Sequence, residues 1–458
     1  MALETNGGLS LDKVRADLVH HQAYTSRTVA DLEAKRLWPR VWQWACRLEE
    51  IPNVGDYMVY DIADQSVIVV RTSKEEVKAF HNVCPHRGRR LLSGAGQITK
   101  FHCAYHAWQW DLKGNNTRIL DHEQWDGYPS MTIKDMSLVP VHVAHWGGFV
   151  YINMSEQPES FEEFIAPAQR ALGVLKFEDM RIAWYNVIKL KGNWKTAQEA
   201  FAESYHVLGT HPQFTAVIDE KNHSIIRGKH STHSYAFELM PGAPSRRLNK
   251  PAQTLEEWHE GFAKYQEALL EQLSRHKGNG QGTSRSFIAA AKAIRALPAN
   301  TPMGDVMAAA TMAMKKAADE VGAYFPMPTA EQWAEIGGAW VAFPNQSFSV
   351  GPDGTLAFSG RPDPDDPFNP DKCEFHMMSL VHFGKKETVP PLEKTLIPDW
   401  HGHGGKIPPL LSQDMSNIED VQRGMHSIAL NGRGLRPNPI QERSVTHLHG
   451  LINSYIYD

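Results

Sequence analysis

Residues 84–110 read CPHRGRRLLSGAGQITKFHCAYHAWQW and carry two short motifs, each mixing one cysteine with one histidine. Cys84 and His86 form a C-x-H pair, and after sixteen further residues Cys103 and His106 form a C-x2-H pair. Two thiolates and two imidazoles on two loops can hold a tetrahedral zinc, or a two-iron cluster in which two His replace two Cys on one iron. Zinc sites typically use C-x2-4-C and H-x3-5-H, whereas here each half is mixed. In the cluster one iron takes both Cys and the other both His, so each loop donates one ligand to each iron. The mixed pairs suit that arrangement and predict a [2Fe-2S] cluster on Cys84, His86, Cys103 and His106.

The flanking sequence has the texture of short antiparallel strands. YMVYDIADQSVIVVRTSKEEVKAFHNV (57–83) alternates and is rich in Val, Ile and Tyr, and VPVHVAHWGGFVYINM (139–154) continues the pattern. The acidic SEQPESFEEF that follows reads as a boundary, which gives a small β domain over 46–160. Ahead of it, residues 10–45 read as helical, with Leu32, Leu37 and Val41 at helix-like intervals up to a break near Pro39.

A second site is written in GNWKTAQEAFAESYHVLGTHPQ, residues 192–213. Glu203 and His206 are three apart and share a face if the stretch is helical. His211 lies roughly 140° around a regular helix from His206, so joint ligation requires a wide turn or a helix end. Gly209 and Pro212 supply the means, loosening the helix near Leu208. The plain alternative is an amphipathic helix with two incidental histidines. Two His on one side of a metal leave room for a carboxylate, the facial triad of non-heme iron(II) oxygenases. Asp414 and Asp420 are the candidates. LLSQDMSNIEDVQRGMHSIAL reads as a helix beginning near Ser412, which puts Asp414 in the first turn, where the amide dipoles favour a carboxylate. Asp414 is therefore preferred; its plain role is a helix cap.

C-P-H-R-G and C-x-Y-H, with the spacing between them, resemble the Rieske motif. E-S-Y-H-x4-H resembles the mononuclear iron motif of Rieske non-heme iron oxygenase α subunits, the aromatic ring-hydroxylating oxygenases. Both occur in that family's order, and the resemblance runs from about Tyr24 to the C-terminal region. Ala104 and Ala107 stand where such proteins often have Pro and Gly. The resemblance implies an α+β chain: a small all-β Rieske [2Fe-2S] domain, and a larger catalytic domain with an antiparallel sheet and helices around a mononuclear Fe(II) on His206, His211 and Asp414. Asp414 also matches the family pattern of an Asp five residues before a Glu, here Glu419. At the position of Glu203 the family has an Asp that links the iron to the Rieske site of a neighbouring subunit, so Glu203 is expected to be the inter-subunit electron bridge. A head-to-tail homotrimer is implied, with a separate β subunit left open. So is a terminal oxygenase: a ferredoxin or reductase loads the cluster, NAD(P)H acts only through that partner, and O2 is the co-substrate. The substrate expected is an aromatic or otherwise mostly apolar small molecule, to be hydroxylated, dihydroxylated or oxidatively demethylated.

The remaining chain, 161–458, reads as the catalytic domain, with residues 1–45 packing on it. RIAWYNVIKL carries a strand into the iron stretch, and SYAFELMPG reads as strand and turn. EEWHEGFAKYQEALLEQLSR places Trp258, Phe262, Tyr265, Leu269 and Leu273 close to one stripe. With FIAAAKAIRAL and MGDVMAAATMAMKKAADEV it forms a helical insertion over about 250–330, assigned to a lid or a subunit contact. GNGQGTS (278–284) is a flexible break whose G-x-G follows a helix, not a strand, and so is no nucleotide loop. AWVAFPNQSFSVGPDGTLAFSG and EFHMMSLVHFG return to strand, with a hairpin at Pro352–Gly354. Phe201, Leu208, Phe214, Trp340 and Phe343 are candidates for the pocket wall, each also suited to ordinary core.

At 458 residues the chain allows two or three domains. A net charge of −5 without a long basic run argues against nucleic acid. Four cysteines are no disulfide framework. No apolar run reaches the roughly 18 residues of a membrane span, and the polar start MALETNGGLSLDK is no signal peptide, so a reducing cytoplasm is expected. Two rivals to the oxygenase remain at this level: a Rieske electron-transfer protein without oxygenase activity, and a zinc-stapled binding protein.

Overall fold

The computed structural model describes residues 18–125, 132–234, 242–251, 253–275, 280–402 and 405–457. The chain folds as two compact units, one of residues 32–165 and one of residues 166–458 joined by the segment up to Asp31. The expected strand and turn at Ser234–Gly242 lies almost wholly outside the described residues, as do residues 10–17 and the start of the 278–284 break.

Helices α1 (Gln22–Thr25) and α2 (Arg27–Leu32) are short. The helical reading of residues 10–45, with its break near Pro39, gives way to a wide π turn at Glu33–Leu37 and a 3-10 turn at Trp38–Arg40, because Pro39 cannot continue the α-helical ladder. Strand pairing begins at β1 (Gln43–Arg47), ahead of the expected boundary. β2 (Asp56–Ile62), β3 (Gln65–Arg71), β4 (Val77–His81), β5 (Ala95–Gln97), β9 (Pro140–Trp146) and β10 (Phe149–Asn153) complete a seven-stranded antiparallel sheet in the order β1-β10-β9-β4-β3-β2-β5. In β2 the alternation does what its sequence demands: Met58, Tyr60 and Ile62 are buried while their neighbours are half-buried or, for Val59, partly covered. Three short strands, β6 (Phe101–His102), β7 (Gln109–Trp110) and β8 (Asn116–Arg118), form a second sheet around the cysteine–histidine loops. Ile68, Val70, Phe80, Phe101, Trp108 and Trp110 pack with Cys84 and Cys103 in one core, so the loops rest on a rigid floor.

After α3 (Phe161–Leu172), the larger unit is built on eight strands. They are β11 (Arg181–Leu190), β12 (His223–Arg227), β13 (His230–Ser234), β14 (Ala339–Ala342), β15 (Gln346–Val350), β16 (Gly354–Pro362), β17 (Cys373–Val381) and β18 (Lys394–Ile397). Their order is β12-β13-β14-β15-β16-β17-β11-β18. All pairs are antiparallel except β11 with β18, which are parallel, so the sheet is mixed and not purely antiparallel. The 351–353 turn joins β15 to β16 as the Pro–Gly signal predicts. The insertion is three helices, α6 (Leu255–Arg275), α7 (Ser284–Arg295) and α8 (Met303–Val321), with a core of their own around Trp258, Phe262, Ile294, Val306 and Met314.

Between β11 and β12 come α4 (Trp194–Glu199) and α5 (Val207–Thr210), and the chain ends with α9 (Ala330–Ile336) before β14, then α10 (Pro409–Met425) and α11 (Arg443–Ile456). Asn193 caps α4 by accepting from Lys195 N at 3.0 Å. α4 lies directly on the sheet because β16 offers it a glycine: a Cβ on Gly360 would stand 2.4 Å from the Trp194 carbonyl oxygen. Gln198 secures the contact, accepting from Gly360 N at 3.0 Å and donating to Ser347 Oγ. α10 packs on the other side, where a Cβ on Gly192 would come within 2.9 Å of Ile418 Cγ2. Gly360→Ala must push α4 off the sheet, and overpacking of this kind costs about 1–3 kcal/mol. A thermal melt of the variant should show the loss as a lowered midpoint; an unchanged midpoint would mean that α4 does not need the close approach.

Candidate metal centres

The two cysteine–histidine loops have the same construction. Cys84 donates its N–H to the Arg89 carbonyl at 2.8 Å and accepts from Gly88 N at 2.9 Å; Cys103 does the same with Trp108 at 2.9 Å and Ala107 at 2.9 Å. In each loop the residue four after the cysteine is left-handed, Gly88 at φ +73° and Ala107 at φ +59°. The loops bring both thiols together in the core. The His86 and His106 rings lie 4.5 Å apart, and His86 stacks on Trp108 at 4.8 Å and 9°. Nδ1 of each histidine is buried without a hydrogen-bond partner, a costly state for a polar atom. Burial pushes the Cys84 thiol up and pulls the His86 imidazole down, the latter with help from His106. Two buried thiols and two orphaned imidazole nitrogens on paired loops fit the donor set of a mixed-ligand two-iron cluster.

The second site gathers around Asp414. His211 Nε2 lies 3.0 Å from Asp414 Oδ1 and His206 Nε2 lies 3.6 Å from the same oxygen. One donor atom from each of the three falls within 4.8 Å of the others. The opposite ring nitrogens are engaged elsewhere: His206 Nδ1 with Glu203 Oε1 at 2.6 Å, and His211 Nδ1 with Gln413 Oε1 at 2.8 Å. A carboxylate and an amide oxygen only accept, so each ring carries a proton on Nδ1 and turns Nε2 toward Asp414. With Nε2 unprotonated the three would be acceptors facing one another, a set that a cation among them satisfies. The set therefore fits a metal ion with imidazole and carboxylate ligands and open positions, with Glu203 and Gln413 as the outer partners that orient the rings. Burial pulls the His206 imidazole down, but the hydrogen bond and charge of Glu203, with the charge of Asp414, outweigh it and hold it above its ordinary value.

Local structure departs from the sequence reading at two of these residues. Glu203 and His206 do not share a helix face. α4 stops at Glu199, and Glu203 instead closes a turn, its Oε2 accepting from His206 N at 3.1 Å and from Tyr205 N. His211 stands at φ −123° and ψ 54°, outside the helical region, where Pro212 places it. Asp414 is not at a helix start either. Pro409 opens α10 three residues earlier than Ser412, since proline is well tolerated at the first helical position, so Asp414 sits in the second turn and the dipole argument lapses. What selects it over Asp420 is the buried face: Asp414 is 4 % exposed, while Asp420 points outward and pairs with Arg423 at 2.9 Å.

A cavity of about 310 Å³ opens beside His206, with Tyr24, Glu199, Glu203, Asp414, Arg436 and Glu442 among its walls. Burial and the charges of Glu203 and Glu199 push the Glu442 carboxyl above its usual range. None of the five expected pocket residues lines this cavity. Phe201 stacks on Phe358 at 4.2 Å and on Phe375 at 5.2 Å, between the iron stretch and the sheet. Phe214 lies 6.4 Å from the His211 ring, and Leu208 is exposed on α5. Trp340 pairs with Thr232, next to His233, and so projects from the opposite sheet face to His233, whose imidazole feels the charges of Glu203 and His206. Burial drives that imidazole down to about 4. Phe343 stacks on Tyr455 at 5.7 Å. The sequence reading missed Gln413, although it adjoins Asp414, and Tyr24, Glu199, His233 and Glu442, which no local spacing marks.

Two family profiles match the chain: Ring hydroxylating alpha subunit (catalytic domain) over residues 177–457, and Rieske [2Fe-2S] domain over residues 41–129. The chain belongs to the Rieske non-heme iron oxygenase α subunits, a family with a Rieske cluster and a mononuclear iron site. It is 34 % identical to the glycine betaine monooxygenase oxygenase subunit of Chromohalobacter salexigens over 191 residues, 42 % of each chain. To the carnitine monooxygenase oxygenase subunit of Acinetobacter baumannii it is 30 % identical over 221 residues, 47 % of this chain and 58 % of that one. The match thus spans about half the length of these curated relatives. A quaternary ammonium Rieske monooxygenase in complex with L-carnitine shares the fold at a TM-score of 0.60 and 19 % identity, covering 96 % of this chain and 97 % of that one. Naphthalene 1,2-dioxygenase from Rhodococcus sp. does so at 0.59 and 16 %, covering 96 % and 94 %.

Ala107 carries a side chain in a conformation that disfavours one by roughly 1–2 kcal/mol. Ala107→Gly relieves this and loses part of the gain to unfolded-state entropy, about 0.5–1 kcal/mol. The expected net is a small rise in the stability of the loop unit, read as a higher midpoint in a melt followed through the cluster's visible absorption; a lower midpoint would show the left-handed turn to be unstrained.

Proposed function

We propose that this chain is the terminal oxygenase component of a Rieske system, with Cys84, His86, Cys103 and His106 holding the [2Fe-2S] cluster and His206, His211 and Asp414 holding one iron(II). The observation that carries the reading is the convergence of two Nε2 lone pairs and a buried carboxylate oxygen on one point, each ring fixed by its own hydrogen bond. When bound, the iron supplies dioxygen activation and the cluster supplies electrons one at a time. The chain's own part is to keep both imidazoles in the ligating tautomer and to hold Asp414 in place. It must also present a protein face across which an electron can enter beside His206.

Glu203 is the inter-subunit bridge in this reading, and the assembly is a head-to-tail homotrimer. Charge complementarity supports it. The cavity at His206 sets the carboxylates of Glu199, Glu203, Asp414 and Glu442 against one arginine, Arg436, while the cluster loop carries exposed Arg87 and Arg89, and Arg90 paired with Asp61. A second copy's loop thus matches the cavity in sign. A ferredoxin or reductase that draws on NAD(P)H loads the cluster. For the substrate, the relatives that act on glycine betaine and carnitine favour a quaternary ammonium compound. An aromatic substrate is the second reading, favoured by a 28 % identical 2-aminobenzenesulfonate 2,3-dioxygenase subunit. Chemically reduced protein offered each class under oxygen, with oxygen uptake and product mass recorded, decides between them.

Two variants test the machinery. His206→Ala should lose the iron held beyond the cluster pair and keep the cluster's reduced spectrum. Metal analysis that finds the same iron in both proteins would leave only the electron-transfer reading. Glu203→Gln should load both centres and slow the first turnover after reduction, and an unchanged single-turnover rate would remove Glu203 from the electron path.

A further inference from the structure

We propose that Tyr24, from the N-terminal segment, is a positioning residue for the iron centre: it acts as a strut that fixes α4 against α10 and so sets the distance between the histidine pair and Asp414. The inference rests on the oxygenase reading above. His206 and His211 follow α4, whereas Asp414 belongs to α10, 203 residues along the chain from His211. A metal site tolerates misplacement of its ligands by only a few tenths of an ångström, so the spacing of these helices must be held by contacts other than the metal.

Tyr24 meets both helices at once. Its carbonyl oxygen accepts from Asn193 Nδ2 at 3.1 Å and from Gln422 Nε2 at 2.9 Å, the first the cap of α4 and the second a residue of α10. Its hydroxyl donates to Glu199 Oε2 at 2.7 Å, at the far end of α4. One residue therefore spans the length of the helix that delivers the histidines. The other Glu199 oxygen is 2.7 Å from His449 Nε2 on α11, whose ring lies 5.0 Å from that of Tyr24. Both carboxylate oxygens of Glu199 are thus taken, and although Glu199 reaches the cavity it is held as a tie, not offered as a ligand.

The strut is itself anchored. Val19 and Leu435 exchange backbone hydrogen bonds at 3.2 and 2.6 Å, and His21 Nδ1 lies 2.9 Å from the Met425 carbonyl oxygen. Tyr24 is 2 % exposed and packs with Val19, Met425 and Val445. Burial, followed by the charge and hydrogen bond of Glu199, pushes the phenol well above its usual range, so the hydroxyl remains a donor.

The test uses Co(II) as the probe, equilibrated by anaerobic dialysis with protein that keeps its cluster but has been stripped of other iron. Tyr24→Phe keeps the ring and the carbonyl contacts and removes only the hydroxyl donor. Its Co(II) dissociation constant should weaken by about tenfold, the lower end of what outer-partner losses cost, with the cluster's reduced EPR signal unmoved. Glu199→Ala breaks the same bond from the other side together with the His449 tie, should weaken Co(II) binding at least as much as Tyr24→Phe, and stands in if that variant does not fold. Glu199→Gln retains an acceptor for the phenol and should recover most of the affinity. Wild-type affinity in folded Tyr24→Phe or Glu199→Ala, even with a lowered melting point, would overturn the strut. Wild-type protein that takes up no Co(II) would overturn the oxygenase reading instead.

Discussion

The larger unit is organised around a convergence of donors. Two imidazole nitrogens face one carboxylate oxygen at 3.0 and 3.6 Å, and the opposite nitrogen of each ring is engaged by Glu203 or Gln413. Such a cluster calls for a positive charge among its members, a bound cation or a proton on an imidazole, and the surrounding structure holds it in place. Glu203 closes the turn that carries His206, and Gln413 precedes Asp414 on the same helix, so each ring is steered by a residue adjacent to another part of the site. The same logic appears in smaller form in the other unit, where two orphaned ring nitrogens and two buried thiols are held by matched loops.

The framework that holds these groups uses close approach more than bulk. Gly360 and Gly192 let α4 lie between the sheet and α10 with backbone nearly touching its neighbours, and Gln198, Asn193 and Gln422 fill the remaining hydrogen-bonding capacity. Small residues and side-chain amides thus do the positioning, while the large apolar residues, Phe358 and Phe375 on the sheet among them, supply the surface against which the iron stretch rests. The helical insertion has its own core and contributes none of the candidate ligands.

Much of this was legible in the sequence, for reasons that differ by residue. The cluster ligands are read from local spacing because each loop supplies its pair within a single turn, so short-range sequence carries the geometry. Pro212 likewise announces that His211 leaves the helix. The Glu203–His206 face failed because the periodicity argument assumed that α4 continued, and nothing in AFAES marks where a helix gives way to a turn capped by its own glutamate. Asp414 is the carboxylate that lies with the two histidines, and of the two reasons for preferring it the helix start lapses, since Pro409 moves that start upstream, while the resemblance through Glu419 stands. Tyr24, His449 and Glu442 were invisible because each acts across hundreds of residues. The pocket residues were chosen by hydrophobicity, and that property does not distinguish the two faces of a sheet covered on both sides; Trp340 lies on the face opposite to His233.

The placement of Asp414 in the second turn of α10 divides the three donors into unlike kinds. Its backbone is locked into a helical ladder, and Met415 and Ile418 are buried beside it, so its carboxylate can rotate but cannot retreat. The two histidines ride on a run of turns and a single helical loop of four residues, held by local turn bonds such as His211 N to the Val207 carbonyl at 2.8 Å. An ion at this site would therefore be held between a helix on one side and a set of linked turns on the other.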